Sequence, residues 1–230
     1  MLEKLKSAVC KANLDLVHHG LVIHTWGNVS GRDKKTGLIV IKPSGVSYDS
    51  MKPSDMVVLD PEGKIVEGRY NPSTDAPTHI ILYNAFSRIG GIVHTHSTFA
   101  ASWAQAGKDI PAFGTTHADH YHGSVPCTRK LRKNEVDNDY EVNTGKVITE
   151  RMKNIDPAAV PSVLVNSHGP FCWGPDPAAA VYNAVALEEI ARMAFYTVLL
   201  GKVESADKFL LEKHFSRKHG KDAYYGQGKK

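Results

Sequence analysis

The sequence has few cysteines and no long hydrophobic run, and each absence excludes a class of protein. Its 230 residues include only three cysteines, with no Cys-x-x-Cys spacing. This odd number is typical of a reducing compartment and excludes a disulfide-stapled fold. No segment approaches 18 uninterrupted apolar residues, so we expect no membrane-spanning helix. Charged residues interrupt the apolar positions of the first segment, so we expect no signal peptide and a cytoplasmic location.

The charge balance and the phosphate-binding fingerprints exclude further classes. The formal net charge is only +4, which does not indicate a nucleic-acid partner. Neither G-x-G-x-x-G nor G-x-x-x-x-G-K-[ST] is present, so a Rossmann cofactor site and a P-loop are not expected. Apolar residues make up 42% and charged residues 23%, as in an ordinary globular protein. The unusual number is 12 histidines, which directs the search toward metal or proton chemistry.

Hydrophobic periodicity predicts a mixture of helices and short strands without strict β-α-β alternation. Strands are predicted at residues 21–24, 38–41, 56–59, 64–67, 91–96 and 162–166. Helices are predicted at 2–17, 77–87, 97–106, 144–153, 176–200 and 205–218. Residues 111–128 are rich in Gly, His and aromatic side chains and are predicted to be strand and loop. We therefore expect an α/β protein with a mostly antiparallel sheet covered by helices.

Three histidines follow predicted apolar strands. His94 and His96 end Gly-Gly-Ile-Val-His-Thr-His, and alternation along a strand makes both face the same way. His168 follows a second apolar strand. Three histidines with one open coordination position are the pattern of catalytic Zn²⁺, and the alternative is three hydrogen-bonded core histidines. His120 and His122 have the same spacing without a preceding apolar strand, so we interpret them as a chance match.

A second group of polar residues has the features of an anion site. A lysine, a serine and a glycine follow the predicted strand at 38–41, and glycine lets a backbone N–H approach a ligand closely. A Ser-Thr pair precedes the predicted helix at 77–87, where free N–H groups attract anions, and an asparagine can add an amide donor. These residues either hold a phosphate or form an ordinary turn and helix cap. The candidates are Asn28, Lys42, Ser44, Gly45, Ser73 and Thr74.

Three further residues are candidates for acid/base or ligand roles. Asp119, in Gly-Thr-Thr-His-Ala-Asp, either exchanges protons or forms a cap or a surface ion pair. Tyr225, in a tail without periodicity, either delivers a proton or packs against a neighbour. Asp75 either adds a carboxylate to the metal or caps the predicted helix.

Seven motifs occur in order along the chain. They are TWGNVSGRD, VIKPSGVSY, PSTDAPTH, GGIVHTHS, GTTHAD, NSHGPFCWG and RKHGKDAYYGQ. From about residue 1 to about residue 227, the chain resembles the class II aldolase/adducin-like family, in particular its pentulose-5-phosphate 4-epimerases. The resemblance implies a three-layer α/β/α sandwich formed by one domain over residues 1–230, with an active-site tail from about residue 218. It also implies a homotetramer with active sites between subunits.

The resemblance assigns roles to the candidate residues. The three histidines correspond to zinc ligands, and Asp75 corresponds to an acidic position that can approach the metal. The anion-site candidates correspond to a phosphate pocket, and Asp119 and Tyr225 to an acid/base pair. One Zn²⁺ per subunit is implied, with Mn²⁺ or Co²⁺ able to substitute. Other active-site positions are Thr115, His214 and Arg217.

The implied reaction interconverts L-ribulose 5-phosphate and D-xylulose 5-phosphate in L-arabinose or L-ascorbate catabolism. C4 is β to the carbonyl, so its C–H is not acidified and simple deprotonation cannot invert it. Retro-aldol cleavage and re-addition at C3–C4 avoids this difficulty. The alternatives are a class II sugar-phosphate aldolase, such as one acting on L-fuculose 1-phosphate, and a non-catalytic adducin-like scaffold. The expected partner is a small sugar phosphate, with no nucleic acid and no membrane.

Overall fold

An antiparallel sheet lies at the centre of the computed structural model, which describes residues 2–220 and 223–226. Its strands are β1 (Asn28–Arg32), β2 (Ile39–Ile41), β3 (Val57–Leu59), β4 (Ile65–Glu67), β5 (Gly91–His94), β6 (Ser162–Val165) and β7 (Gly169–Gly174). The strand order is β4-β3-β2-β1-β5-β7-β6. Every neighbouring pair is antiparallel. The predicted mostly antiparallel sheet is confirmed.

Helices cover both faces of this sheet. They are α1 (Glu3–His18), α2 (Ala76–Ala85), α3 (Thr98–Ala106), α4 (Thr115–Ala118), α5 (Lys133–Asp137), α6 (Tyr140–Met152), α7 (Pro177–Leu199) and α8 (Lys208–His219). In β1, Gly31 faces α1 and α7, while the neighbouring Ser30 hydrogen-bonds His79 and Tyr83 of α2. Helix α6 packs on α2. This arrangement confirms the expected three-layer α/β/α sandwich. Among the described residues, no helix is long and apolar enough to cross a membrane.

Alternation along the strands divides the core between the two faces of the sheet. Val40 of β2 and Val58 of β3 belong to a small cluster that includes Val9 of α1. Their neighbours Ile39 and Leu59 belong to the main cluster on the other face. Successive side chains of a strand point to opposite faces, and both faces of this sheet are buried here. The three-residue strands β2 and β3 are therefore apolar at every position.

Hydrophobic periodicity does not predict β1 and β7, because glycines interrupt their apolar pattern. A Cβ at Gly31 of β1 would lie 2.8 Å from side-chain atoms of Leu5 and Pro177, so only glycine allows α1 and α7 to approach this closely. Strand β7 begins with Gly-Pro and ends at Gly174, where a Cβ would lie 2.8 Å from Ala179. Glycine inside or beside a strand is usually a turn signal, and here it marks close packing instead.

Other segments also differ from the prediction. The strand predicted at 21–24 is wrong, because residues 21–23 have no regular structure and lead into a turn in which His24 has φ +53°. The strand predicted at 91–96 ends at His94, so His96 lies in the connection to α3. The segment at 111–128 includes the short helix α4 and one antiparallel bridge, between Ile110 and Val125.

The carboxylate of Glu188 on α7 holds the start of α3, the helix that follows His96. It accepts hydrogen bonds from the backbone N–H groups of Phe99, at 2.8 Å, and Ala100, at 2.9 Å. The first N–H groups of a helix have no partner within the helix, so an acidic side chain from another element can satisfy them.

Replacing Glu188 by Ala is expected to lower the free energy of unfolding by about 1.5–3 kcal/mol, the usual value of hydrogen bonds to a charged group. The matched control is Glu189→Ala, which removes an exposed ion pair with Arg192. That change should cost less than about 1 kcal/mol. Urea unfolding of both variants measures the difference, and equal losses would contradict the role given to Glu188.

Candidate metal centre and active site

Three histidines converge at one end of the central strands. His94 is the last residue of β5, His96 follows two residues later, and His168 lies in the turn between β6 and β7. Each of the three rings offers one nitrogen, and these three nitrogens lie within 4.8 Å of one another. No other trio of His, Cys, Asp and Glu side chains in residues 2–220 and 223–226 has this geometry. The adjacency of β5 and β7 therefore brings together residues that are 74 positions apart (168 minus 94).

The nitrogen atoms of this cluster fit a cation. His94 Nδ1 lies 3.0 Å from the carbonyl oxygen of Pro170, an acceptor that requires a proton on Nδ1. His94 Nε2 then carries a lone pair, and it lies 3.0 Å from Nε2 of His96. Burial lowers the pKa values of both His96 and His168, the latter to about 3, so added protons are disfavoured. A divalent cation satisfies such a set of neutral imidazoles.

Asp75 lies beside the three histidines at the start of α2. Its side chain makes no helix-capping hydrogen bond. Its Oδ2 instead accepts a hydrogen bond from Asn28 Nδ2 at 2.7 Å. Burial raises the pKa of the Asp75 carboxyl, but His94, His79 and the Asn28 amide outweigh this effect and hold it below its ordinary value. The carboxylate is therefore charged and available near the cluster.

Five of the six anion-site candidates lie on two adjacent segments, and the sixth, Asn28, is the first residue of β1 and hydrogen-bonds Asp75. The Ser44 N–H donates to the Asn71 carbonyl at 3.0 Å, and the Ser73 N–H donates to the Lys42 carbonyl at 2.9 Å. These bonds align residues 42–45 with residues 71–74, next to the start of α2. Gly45 has φ +68°, a conformation that favours glycine. The side chains of Ser44 and Thr74 are exposed, while Ser73 is buried.

Lys42 is a buried cation with few hydrogen-bond acceptors around its ammonium group. Its side chain is almost inaccessible, its Nζ lies 3.3 Å from the carbonyl oxygen of Pro43, and it lies 4.8 Å from the centre of the Tyr48 ring. Burial lowers the pKa of this amine. An ammonium has three donors, so one carbonyl acceptor among the described residues leaves capacity for an anion.

Asp119, at the end of α4, is surrounded by basic groups of α8. Arg217 Nη2 lies 2.8 Å from its Oδ2, and His214 Nδ1 lies 3.1 Å from its Oδ1. Lys218 Nζ is 3.5 Å from the same carboxylate. Burial raises the pKa of Asp119, but Arg217 and His214 outweigh this effect and lower it below its ordinary value. The structure thus joins three of the predicted active-site residues into one ion-pair cluster.

Tyr225 and Thr115 belong to the same region. The Tyr225 N–H donates to the Arg217 carbonyl at 3.1 Å, so the tail folds back onto α8. The Tyr225 ring is exposed and lies 5.1 Å from the Arg217 guanidinium carbon. The Thr115 carbonyl accepts from the Asp119 N–H at 2.9 Å. The remainder of the predicted tail, at 221–222 and 227–230, lies outside the described residues.

The histidine cluster and the Asp119 cluster occupy different ends of the sheet. Asp119 lines a cavity of about 800 Å³ whose wall includes Ala85 and Gly174. Gly174 pairs with the first residue of β5, whereas His94 is the last residue of that strand. Ala85 ends α2, whereas Asp75 precedes it, and ten helical residues span about 15 Å. The two clusters therefore lie toward opposite ends of β5 and α2.

Two partners of the histidine cluster carry no signal in the sequence pattern. The Tyr140 hydroxyl lies 3.3 Å from His168 Nδ1. Periodicity predicts the start of this helix at residue 144, whereas α6 begins at Tyr140. The Pro170 carbonyl that contacts His94 is a backbone group, and residue type does not reveal it. By contrast, His122 of the second His-x-His pair is exposed, and its Nε2 lies 2.8 Å from Oε1 of Glu212.

Comparisons with known proteins assign the chain to a family. The model for the class II aldolase and adducin N-terminal domain matches residues 7–195. The chain is 55% identical over 227 residues to the L-ribulose-5-phosphate 4-epimerase UlaF of Salmonella paratyphi B, covering 98% of this chain and 100% of that protein. The protein of the same name from Salmonella typhi is similar to the same extent.

Solved structures agree with this relationship. An L-fuculose 1-phosphate aldolase superposes with a TM-score of 0.79 at 25% identity, covering 93% of this chain and 95% of that one. The L-fuculose 1-phosphate aldolase of Glaciozyma antarctica has a TM-score of 0.76 at 16% identity, which shows a shared fold. That alignment covers 96% of this chain and 84% of the other. The seven motifs, the antiparallel sandwich and the family match agree, and the chain belongs to the class II aldolase and adducin family.

Proposed function

We propose that this chain is a metal-dependent L-ribulose-5-phosphate 4-epimerase. It interconverts L-ribulose 5-phosphate and D-xylulose 5-phosphate, and His94, His96 and His168 hold one Zn²⁺, which Mn²⁺ or Co²⁺ can replace. The observation that carries the proposal is the convergence of these imidazoles in a chain that is 55% identical to epimerases over its length. We place the reaction in L-arabinose or L-ascorbate catabolism in the cytoplasm. The three free cysteines are consistent with this location, because a reducing compartment keeps thiols reduced.

The reaction inverts C4 by breaking and remaking the C3–C4 bond. The bound cation supplies Lewis-acid stabilisation of the negative charge that develops during cleavage. Asp75 adds a further charge beside the site. The pocket around Lys42 and Ser44 holds the phosphate, so that the two-carbon aldehyde fragment stays bound while it rotates. Retention of this fragment distinguishes an epimerase from an aldolase.

Proton transfer at the C4 hydroxyl requires one group on each face of the aldehyde. We assign these roles to Asp119 and Tyr225. Arg217 and His214 keep the carboxylate of Asp119 ionised, so it has a free position for a proton, and the same two groups lower its strength as a base. The phenol of Tyr225 carries a proton that it can donate.

In this proposal, each active site forms at the interface between two subunits. Asp119 and Tyr225 of one chain serve the histidine cluster of the next chain in a homotetramer. The separation of the two clusters within one chain supports this arrangement. Exposed apolar side chains near the end of α7 and the start of α8, including Leu199, Leu200 and Phe209, supply surface suited to a subunit contact.

Product analysis tests the function. Purified protein incubated with L-ribulose 5-phosphate should form D-xylulose 5-phosphate, followed by ¹³C NMR. Accumulation of dihydroxyacetone and glycolaldehyde phosphate would instead identify an aldolase, the class of enzyme to which the L-fuculose 1-phosphate aldolase among the structural neighbours belongs. Absence of both turnover and bound metal would identify a non-catalytic scaffold.

Replacing Ser44 by Ala tests the phosphate pocket. Loss of one hydrogen bond to a charged group costs about 1.5–3 kcal/mol, so substrate affinity should fall by about 10- to 150-fold. The metal content should not change. The control is Ser47→Ala, an exposed serine of the same loop. Dissociation constants are compared for the phosphorylated sugar and for its analogue without phosphate, and equal weakening of both would place the pocket elsewhere.

A further inference from the structure

Two of the three histidine rings have an identifiable hydrogen-bond partner at Nδ1. The backbone carbonyl of Pro170 contacts Nδ1 of His94 at 3.0 Å. The Tyr140 hydroxyl lies 3.3 Å from Nδ1 of His168. Such partners fix the tautomer and the orientation of a metal-binding imidazole, and losing one typically weakens metal binding by 10- to 100-fold.

We propose that Tyr140 is a positioning residue of the metal centre. Its phenol oxygen accepts the Nδ1–H of His168, which leaves the Nε2 lone pair of that ring directed at the cation. This inference rests on the metal site of the proposed function. It assigns a role to a side chain that the seven motifs do not include.

The proton on His168 decides whether the ring can act as a ligand. If the phenol donates to Nδ1, the proton of the neutral ring lies on Nε2 and blocks that nitrogen. If Nδ1–H donates to the phenol oxygen, Nε2 is free. A phenol oxygen both donates and accepts, so rotation of one O–H bond allows the second arrangement.

The position of Tyr140 is held by the packing of two helices. It is the first residue of α6, and the buried Thr78 of α2 donates to the carbonyl of the next residue, Glu141, at 2.6 Å. Deeper along α6, a Cβ at Gly145 would lie 2.9 Å from Ile81, so the two helices are in close contact. The same helix α2 begins next to Asp75. Tyr140 is therefore placed by a rigid scaffold rather than by a loop.

Zinc affinity measured without turnover tests the inference. Protein is freed of metal by dialysis against a chelator, and Zn²⁺ binding is measured by competition with a chromogenic chelator. Tyr140→Phe should bind Zn²⁺ 10- to 100-fold more weakly than wild type, because the ring is kept and the oxygen is lost. The matched control, Tyr196→Phe, removes a hydroxyl from an exposed ring on α7 and should bind normally.

Three further measurements separate positioning from other roles. The melting temperature of the metal-free variant should equal that of metal-free wild type, and a large fall would mean that lost folding explains the weaker binding and would overturn the inference. At saturating Zn²⁺ the variant should recover the wild-type kcat, and a persistent loss would show that the hydroxyl acts on substrate instead. In ¹⁵N NMR of the zinc-loaded wild type, His168 should be protonated on Nδ1, and protonation on Nε2 would overturn the inference.

The inference and the proposed function fail in different ways. Wild-type protein that binds no divalent cation would contradict the proposed metal site itself. Wild-type protein that binds Zn²⁺ with an affinity shared by Tyr140→Phe would leave the metal site in place and overturn the role of Tyr140.

Discussion

Replacement of His96 by Asn is expected to remove the bound metal and to reduce kcat by about a thousandfold or more. In the proposed mechanism a bound metal would stabilise the developing charge by several kcal/mol, and each 1.36 kcal/mol corresponds to a factor of ten in rate. His96 is the most exposed of the three histidines, so its loss should disturb the fold little. Metal content by mass spectrometry and turnover of L-ribulose 5-phosphate measure the two effects.

The second His-x-His pair of the chain provides the control. His122 is exposed and contacts Glu212, so His122→Asn should retain about one divalent ion per chain. Chelation of the wild type should abolish turnover, and added Zn²⁺ or Mn²⁺ should restore it. Full activity in thoroughly metal-free wild-type protein would exclude the metal mechanism.

Mixing two inactive variants is expected to restore about a quarter of the wild-type rate. One variant is His96→Asn, which lacks the metal, and the other is Tyr225→Phe, which lacks the phenol. In the proposed ring of subunits, each site would combine the metal of one chain with the Tyr225 of the next. After random reassembly of equal amounts, half of the metal sites are intact and half of their neighbours carry Tyr225, so about one site in four is complete.

A second mixture distinguishes shared sites from sites within one chain. Wild type mixed with the double variant His96→Asn/Tyr225→Phe should also retain about a quarter of the rate if sites are shared, but about half if each chain is self-sufficient. Native mass spectrometry must show hybrid oligomers in both mixtures. Hybrids that leave the first mixture as inactive as its parents would place the whole site within one chain.

The long helices were predictable because their signals are local. Apolar residues at helical spacing indicated α1 and α7, and the structure ends each within a few residues of the prediction. Strands β1 and β7 were missed because glycines interrupt their apolar pattern. The reason for Gly31 lies in Leu5 and Pro177, which are distant in sequence and meet only when α1 and α7 pack on the sheet.

Candidate residues were likewise easier to predict than their groupings. The two histidines of GGIVHTHS lie at the end of an apolar strand, a pattern visible in eight residues. His214 and Arg217, which contact Asp119, lie 95 and 98 positions from it along the chain. Only the family resemblance identified them as active-site residues. Such contacts depend on where α8 docks, and hydrophobic periodicity carries no information about docking.

The chemical groups of this protein can be read from residue types and from spacing over a few positions. They are imidazoles after apolar strands, a lysine and serines in turns, and an aspartate in a polar loop. Which atoms face one another depends instead on the tertiary structure. The β5-β7-β6 order brings His168 to His94, the Pro170 carbonyl leaves His94 Nε2 without a proton, and α6 brings Tyr140 to His168. The physical reason is that hydrogen bonds and ligand geometry require positions within tenths of an ångström, which only the packing of distant segments defines.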